Sequence, residues 1–210
     1  MLRRKHIDNA SSNTDMKKKA IFLDRDGTIN IEKEYLFRIE DFELLPGVVD
    51  ALKILQELGF KLIIITNQSG IARGYFTLED YKKLNTWMVQ ELKIQGIDIT
   101  NVYFCPHHPD ATISQYRVNC SCRKPKLGMF EKAVKDYDLE LGHCFAIGDK
   151  IRDCSICKST DCHGFLIAEN EKNEIIQIVK AGGVRNVEYA SDLMAAAEKI
   201  KSYLTNPDEQ

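Results

Sequence analysis

The chain has 210 residues, of which 44% are hydrophobic, and this is enough apolar material for one ordinary domain with a sizeable core. Its formal net charge is −2 and its lysines are scattered, which argues against a nucleic-acid partner. The sequence has no apolar run of about 18 residues and no secretory signal pattern, so we expect no membrane partner and a cytoplasmic location. Its seven cysteines are then expected to be reduced.

Short β-branched runs alternate with amphipathic stretches along the chain. The runs predict strands near 20–24, 61–66, 101–105, 144–148 and 164–168. Helices are predicted from Val48 to Leu58, from Thr77 onward, and over 127–137, 150–159, 173–181 and 191–204. This alternation is typical of an α/β fold with a doubly wound parallel sheet.

Both ends of the chain are polar and aperiodic. We expect residues 1–15 to be a disordered tail and residues 206–210 to be a frayed C-terminus. Residues 16–205 are predicted to form a single domain, which we expect to be monomeric because no obvious exposed apolar stripe remains once the helices dock on the sheet.

The predicted first strand ends in two carboxylates one residue apart, Asp24 and Asp26. Buried like charges are costly without a compensating cation, and a divalent metal is the simplest one. Period-2 geometry places both carboxylates on one side of an extended backbone. Ligands of open α/β sheets bind beyond the carboxyl ends of the strands, where Thr66 and Asp149 also lie. These residues therefore indicate a catalytic site.

The same residue types suit the hydrolysis of a phosphate monoester. Asp24 would attack phosphorus and form an aspartyl-phosphate, while Asp26 would act first as an acid and then as a base. Oxygen ligands from Asp24, the Asp26 backbone carbonyl and Asp149 suit Mg²⁺. Thr66 and the amides after it would hold phosphoryl oxygens, and Lys124 would add a positive charge.

A second cluster follows the predicted third strand. Cys105, His107, Cys120 and Cys122 make a closed set of four ligands, which is typical of structural Zn²⁺. His107 is preferred to His108 because it repeats the one-residue gap between Cys120 and Cys122. The pairs are tighter than the usual finger spacing, so buried thiols remain the alternative.

The remaining cysteines are interpreted as small buried hydrophobes. Cys154 and Cys157 lie one helical turn apart in a segment expected to pack on the sheet, and Cys144 opens a predicted buried strand. A second zinc site or a redox pair that includes Cys162 is the rejected alternative.

The order of these acids, the threonine and the lysine resembles the four motifs of the haloacid dehalogenase-like phosphatase superfamily. The motif residues are Asp24-x-Asp26-Gly27-Thr28, Thr66-Asn67, Lys124 and Gly148-Asp149. Longer strings, at 23–30, 66–74, 105–109 and 120–125, resemble the family of D-glycero-D-manno-heptose 1,7-bisphosphate 7-phosphatases. The resemblance implies removal of the C7 phosphate from a small-molecule sugar bisphosphate, in the synthesis of nucleotide-activated heptose for surface glycans. It also implies catalytic Mg²⁺ and structural Zn²⁺.

The resemblance further implies substrate contacts. In that family the flap after the first motif touches the sugar, the Arg-Lys pair recognises substrate and phosphoryl group, and a lysine follows the metal-binding acid. The expected substrate-binding residues are Glu32, Lys33, Glu34, Tyr35, Asn67, Gln68, Ser69, Arg123 and Lys150. Asp153 is left out as a metal ligand because the role of that second acid varies in the superfamily.

The segment between the first two motifs is short. About 40 residues separate Asp24 from Thr66, too few for a helical cap once a crossover helix is counted. We therefore expect an open site with no large cap, whose entrance is shaped by the zinc loop, residues 105–122.

Three alternative functions remain. Histidinol-phosphate phosphatases share the acids and the zinc loop, but the string at 69–74 favours the heptose branch. Polynucleotide 3′-phosphatases share Thr-Asn-Gln, yet the acidic balance and the missing P-loop speak against them. A non-catalytic zinc-binding module is disfavoured because all the expected catalytic residues are present.

Overall fold

The structure is a computed structural model that describes residues 18–168 and 173–205. The predicted tail at 1–15 and the predicted frayed C-terminus at 206–210 lie outside these ranges.

In the described residues, six strands form one parallel sheet. They are β1 (Ala20–Leu23), β2 (Lys61–Asn67), β3 (Ile99–Cys105), β4 (Phe145–Gly148), β5 (His163–Ile167) and β6 (Val187–Ala190). Their order is β3-β2-β1-β4-β5-β6, with parallel pairing throughout. The chain first winds outward from β1 through β2 to β3 and then returns to the other side of β1. The switch point between β1 and β4 is where such sheets bind ligands.

Helices cover both faces of the sheet. They are α1 (Val48–Glu57), α2 (Ser69–Arg73), α3 (Leu78–Ile94), α4 (Gly128–Tyr137), α5 (Glu174–Lys180) and α6 (Leu193–Thr205). Along β1, Ile21 and Leu23 pack into the core under α1, α3 and α6, whereas Ala20 and Phe22 pack into the core under α4 and α5. Period-2 alternation thus buries both faces of a central strand, which explains its continuous apolar run. The predicted doubly wound parallel sheet is confirmed.

The start of α3 follows the chemistry of its first residues. The Thr77 hydroxyl accepts the Asp80 N–H at 3.1 Å, and the Asp80 carboxylate accepts the Thr77 N–H at 2.9 Å. This capping box satisfies two backbone donors that the helix leaves unpaired. The predicted helix start at Thr77 is confirmed.

Three features differ from the sequence prediction. The five-residue α2 and the four-residue β6 were not predicted, because such short elements carry too little periodicity. Over the helix predicted at 150–159, the chain forms 3₁₀ turns at Ile151–Lys158. There the Asp153 carboxylate accepts the Lys150 N–H at 2.9 Å and also pairs with Lys124. This inward pull of Asp153 accounts for the tight turns in place of a regular α-helix.

The connection between β1 and β2 contains a loop, a 3₁₀ turn at Ile39–Asp41 and α1, with no helical cap. The prediction that the fold has no large cap is therefore confirmed. Among the residues that the structure describes, none of the helices has both the length and the apolarity to span a membrane.

Leu55 tests the packing of α1 on the sheet. Its side chain is 0% exposed in the core, so Leu55→Ala should lower the free energy of unfolding by about 2–5 kcal/mol through lost burial and a cavity. Ile94, which is 78% exposed, supplies the control, and Ile94→Ala should change the free energy of unfolding by less than about 0.5 kcal/mol. Urea unfolding followed by circular dichroism measures both. Equal effects of the two substitutions would contradict the assigned core.

Candidate active site

Four segments bring polar side chains to the carboxyl edge of the sheet. Asp24 follows β1 and its N–H donates to the Ile147 carbonyl of β4 at 3.0 Å, which extends the ladder to the tip of the strand. Thr66 is the penultimate residue of β2, Asp149 directly follows β4, and Lys124 lies in the loop before α4. The structure therefore brings together the predicted catalytic residues.

Lys124 is the centre of the site. Its Nζ lies 2.9 Å from Asp24 Oδ1, 2.7 Å from Asp153 Oδ1 and 2.5 Å from the Ile65 carbonyl oxygen. Burial alone would lower the pKa of Lys124, but the charges of Asp24 and Asp153 outweigh it and raise the pKa above its ordinary value. The Asn67 side chain fixes the Lys124 backbone through two hydrogen bonds of 3.1 Å. Lys124 is therefore a charged and firmly positioned cation.

The Asp24 carboxyl is buried among like charges. Burial raises its pKa to about 6, and the charges of Asp153 and Asp26 add to this effect against the opposing pull of Lys124. The protein environment thus disfavours the ionised form that a nucleophile needs. A further cation at this position would restore it.

The acids meet in a group that suits a divalent cation. One carboxylate oxygen from each of Asp24, Asp149 and Asp153 lies within 4.8 Å of the other two. Burial also raises the pKa of Asp149, with the charge of Asp24 adding to it, and Lys150 Nζ lies 2.6 Å from Asp149 Oδ2. This all-oxygen set fits Mg²⁺. Asp153, left out of the predicted ligands, belongs to the same group, although its oxygens already contact Lys124 and the Lys150 N–H.

Gly27 allows β1 and the β4 loop to approach each other. Its φ is 80°, in the left-handed region, and a Cβ there would lie 2.6 Å from Asp149 Oδ2. A side chain at this position would therefore displace the carboxylate that the site needs.

The Asp26 carboxylate accepts five hydrogen bonds from three residues. Arg25 Nη2 lies 2.9 Å from both Asp26 oxygens, and Arg25 Nε donates to Oδ1 at 3.1 Å. Asn30 Nδ2 donates to Oδ1 at 3.1 Å, and Gln68 Nε2 donates to Oδ2 at 2.9 Å and to Thr66 Oγ1 at 3.0 Å. This fixes the Asp26 side chain, so any metal contact of Asp26 falls to its backbone carbonyl.

Arg25 was not predicted as a site residue. The residue is 0% exposed, which is rare for arginine and requires the ion pair with Asp26. The only signal in the sequence is a cation placed between two acids. Gln68, predicted to touch substrate, is seen to orient Asp26 and Thr66.

The predicted flap at 32–35 is an exposed loop whose side chains make different contacts. Burial raises the pKa of Glu32, and the charges of Asp26, Asp149 and Asp24 add to this effect, so Glu32 lies within electrostatic reach of these acids. Lys33 instead donates to the Asp41 carbonyl at 2.8 Å. The structure therefore brings Glu32 to the site and directs Lys33 away from it. Glu34 and Tyr35 are exposed on the same loop, and Ser69 opens α2.

The second predicted cluster also assembles. Cys122 Sγ lies 3.2 Å from Cys105 Sγ and from Cys120 Sγ, and 3.4 Å from His107 Nδ1. A tetrahedron with metal–sulfur bonds of about 2.3 Å has sulfurs about 3.8 Å apart, so the four atoms fit one Zn²⁺ with small adjustments. His108 lies outside this set. Arg123 Nη1 donates to the His107 carbonyl at 3.3 Å, which ties Arg123 to the loop.

The other four cysteines do not join a metal-binding group in the described ranges. Cys154, Cys157 and Cys162 are 0% exposed and Cys144 is 1% exposed, all in the core under α4 and α5. Their interpretation as small buried hydrophobes is confirmed.

A doubly wound parallel sheet with paired acids at the tip of a central strand, a lysine on the first acid and a third acid after β4 defines a class of hydrolases. The chain belongs to the haloacid dehalogenase-like hydrolase family, whose family model matches residues 3–160.

Comparison with individual proteins gives a more specific match than the family model. The chain is 46% identical, over 134 residues, to the D-glycero-beta-D-manno-heptose-1,7-bisphosphate 7-phosphatase of Yersinia pestis, a match that covers 64% of this chain and 71% of that protein. It is 36% identical over 183 residues to the protein of the same name from Pasteurella multocida, covering 87% and 96% respectively.

One solved structure resembles this fold along most of its length. The D,D-heptose 1,7-bisphosphate phosphatase of B. bronchiseptica, complexed with magnesium and phosphate, superposes with a TM-score of 0.72 at 28% identity, covering 88% of this chain and 98% of that one.

Lys124→Ala tests the buried ion-pair network. Removing the ammonium leaves Asp24 and Asp153 without their shared cation, so the free energy of unfolding in buffer with EDTA should fall by about 3–5 kcal/mol. Lys132 pairs with Asp136 on the surface, with 63% of its side chain exposed, and Lys132→Ala should cost less than about 1 kcal/mol. Urea titration of the two variants makes the comparison. A loss for Lys124→Ala as small as that of the control would contradict the assigned network.

Proposed function

We propose that this protein is a Mg²⁺-dependent phosphatase that removes the C7 phosphate of D-glycero-D-manno-heptose 1,7-bisphosphate, the β anomer that the names of its relatives specify. One observation carries the proposal. The Asp24–Lys124 pair, Asp26, Thr66 and Asp149 meet at the switch point of the sheet, in a chain similar over 87% of its length to a heptose bisphosphate phosphatase.

The reaction divides into two displacements at phosphorus. An Asp24 oxygen attacks phosphorus while the bond to the C7 oxygen breaks, and protonated Asp26 gives its proton to the departing oxygen. This step forms an aspartyl-phosphate and releases the sugar. Asp26, now ionised, takes a proton from the water that attacks phosphorus, and this attack releases inorganic phosphate and regenerates the Asp24 carboxylate.

The neighbouring groups support both displacements. Arg25, Asn30 and Gln68 hold the Asp26 carboxyl in one orientation, which keeps the acid in place for the leaving oxygen. Thr66 Oγ1 accepts from Gln68, so its own proton is available to a phosphoryl oxygen. Lys124 places a fixed positive charge beside the nucleophile.

Asp24, Asp149 and the Asp26 backbone carbonyl would hold Mg²⁺, with Asp153 close by. When bound, Mg²⁺ neutralises charge on the phosphoryl oxygens and screens the attacking carboxylate from them.

We assign Cys105, His107, Cys120 and Cys122 to one structural Zn²⁺. The closed set leaves no position for substrate on the metal, so the contribution of zinc is to order the loop. Through the His107 carbonyl, the ordered loop fixes Arg123 next to the catalytic Lys124.

The proposed location is the cytoplasm, where a reducing environment suits the seven unpaired cysteines. A monomeric state remains a prediction, as does a single domain over residues 16–205.

Asp24→Asn tests the covalent mechanism and the substrate together. Without a carboxylate nucleophile, kcat for phosphate release from heptose 1,7-bisphosphate should fall by about 10⁴-fold or more. Phosphate release with Mg²⁺ is measured for that substrate, for histidinol phosphate and for a 3′-phosphorylated oligonucleotide. Asp161→Asn, at an exposed acid that pairs with Arg185, is the matched control and should retain full activity.

The three substrates separate the alternative functions. If the wild-type protein prefers histidinol phosphate or the oligonucleotide, that compound replaces heptose bisphosphate as the proposed substrate. If it releases phosphate from none of the three, the result favours a non-catalytic zinc-binding module. Undiminished turnover by a folded Asp24→Asn protein would rule out the aspartyl-phosphate.

Zinc removal tests the role of the loop. Metal analysis should find about one zinc per chain, and a zinc-free, folded sample should show a raised KM for the sugar bisphosphate because Arg123 is no longer fixed. The control is Cys157→Ser, a change at a buried cysteine that is not one of the four proposed zinc ligands. This variant should contain as much zinc as the wild type. Unchanged kinetics in a verified zinc-free sample would contradict this role.

A further inference from the structure

Arg25 is the buried cation that holds the Asp26 carboxylate. Three of the five hydrogen bonds that Asp26 accepts come from Arg25 Nε and Nη2. Arg25 Nη2 also lies 3.4 Å from the carbonyl oxygen of Leu36, the residue that follows the flap at 32–35. The position of the Asp26 side chain therefore depends on the position of this guanidinium.

Hydrogen bonds anchor only part of the guanidinium. Arg25 Nη1 is buried and has no hydrogen-bond partner among the described residues. The ring of Tyr81, on α3, lies beside the guanidinium, with Arg25 Cζ 5.8 Å from the ring centroid. A cation over an aromatic face at this distance is attracted to the ring, and the attraction is larger where water is excluded. Arg25 is 0% exposed and Tyr81 is 2% exposed, so the contact is of this stronger kind.

A small apolar cluster fixes the Tyr81 ring. Tyr81 packs with Ile71 and Phe76 in a cluster separate from the two cores on the faces of the sheet. Phe104 of β3 lies against the Tyr81 ring, with centroids 4.4 Å apart and ring planes at 40°. Phe37, the second residue after the flap, stacks on Phe76 at 5.5 Å. The cluster thus holds the ring beside Arg25 and ties the chain that leaves the flap to the same place.

The aromatic ring of Tyr81, rather than its hydroxyl, makes the contact with Arg25. The hydroxyl oxygen is buried without a hydrogen-bond partner in the described part of the chain. Burial raises the pKa of Tyr81, so the hydroxyl stays neutral and adds no charge beside Arg25. Phenylalanine at this position would keep the aromatic face, whereas leucine would keep an apolar side chain and lose that face.

We propose that Tyr81 is a positioning residue for Asp26, which acts by holding the Arg25 guanidinium through a cation–π contact. This inference rests on the proposed function, in which Asp26 gives a proton to the departing sugar oxygen. Tyr81 is buried, so it acts through Arg25 and not on the substrate. When the guanidinium shifts, Asp26 retains only the hydrogen bonds from Asn30 and Gln68. A displaced acid then transfers its proton less efficiently.

Two substrates with different leaving groups separate positioning of the acid from a general structural effect. The sugar oxygen of heptose 1,7-bisphosphate needs a proton as it leaves, whereas the nitrophenolate of 4-nitrophenyl phosphate leaves without one. Tyr81→Leu should lower kcat/KM for the bisphosphate by about 5- to 50-fold through kcat, with KM nearly unchanged. It should lower kcat/KM for the aryl phosphate by less than about twofold. Tyr81→Phe, which keeps the ring, should leave both values within about twofold of wild type.

Two further variants calibrate the ratio of the two kcat/KM values. Phe76→Leu is the matched control because Phe76 belongs to the same cluster and stacks on Phe37, and it should leave the ratio unchanged. Asp26→Asn gives the ratio expected without the acid, and Tyr81→Leu should shift the ratio in the same direction by a smaller factor. Circular dichroism and zinc content verify that each variant is folded.

Nitrogen-15 NMR of the arginine side chains reports on the contact without turnover. The Arg25 Nε–H signal is assigned by its loss in Arg25→Lys. In wild type and Tyr81→Phe this proton should exchange slowly with water, because the guanidinium is buried and held. In Tyr81→Leu the signal should move as the ring is lost, and the proton should exchange faster. An unchanged Arg25 signal in Tyr81→Leu would overturn the contact.

The kinetic results have equally definite meanings. Equal losses on both substrates, or unchanged kinetics on both, would overturn the positioning role of Tyr81. A loss in Tyr81→Phe as large as that in Tyr81→Leu would overturn the role of the ring. A wild-type protein that releases phosphate from neither substrate would contradict the proposed function, and the NMR comparison would still decide the contact between Arg25 and Tyr81.

Discussion

The buried ammonium of Lys124 is the interaction on which the rest of the site depends. It joins the tip of β1, the end of β2 and the loop after β4 through Asp24, the Ile65 carbonyl and Asp153. Each partner would be costly to bury alone, and a lysine without acids would be equally costly. The fold and the proposed chemistry are thus coupled, because the charge that holds these three segments together also lies beside Asp24, the proposed nucleophile.

Specificity must arise from loops, because the chain between β1 and β2 carries no cap. The flap at 32–35 places Glu32 near the acids, and the zinc loop places Arg123 beside Lys124. A loop ordered by a metal, as proposed for residues 105–122, can hold a cationic side chain in one position without a large hydrophobic core of its own. This arrangement leaves the site open to solvent while still presenting rigid groups to a polar substrate.

The sequence predicted the parts of this structure that depend on spacing and periodicity. The four predicted zinc ligands meet in the structure, as do Asp24 and Asp149 of the predicted Mg²⁺ ligands, because residue type and strand position determine such groups. The sheet was predicted correctly because β-branched runs alternate with amphipathic stretches. Arg25 was missed because arginine is normally exposed, and only the folded chain shows its full burial against Asp26. Asp153 was set aside because the metal role of this second acid varies in the superfamily, and only the folded chain shows its contact with Lys124. The role of Gln68 depends on a hydrogen bond to Asp26, 42 positions away in the sequence.

The balance of charge explains why these acids favour a metal. Asp26 forms an ion pair with Arg25, and Asp149 forms one with Lys150. Asp24 and Asp153, by contrast, share the single positive charge of Lys124. The group is therefore short of one positive charge. Burial raises the pKa of Asp24 to about 6, and the charges of Asp153 and Asp26 contribute to this rise. A monovalent cation would only neutralise the deficit. A divalent cation would also leave a positive charge for the phosphoryl oxygens of the proposed substrate. The same imbalance that disfavours ionised Asp24 in the protein alone would therefore favour the ion that the proposed mechanism needs.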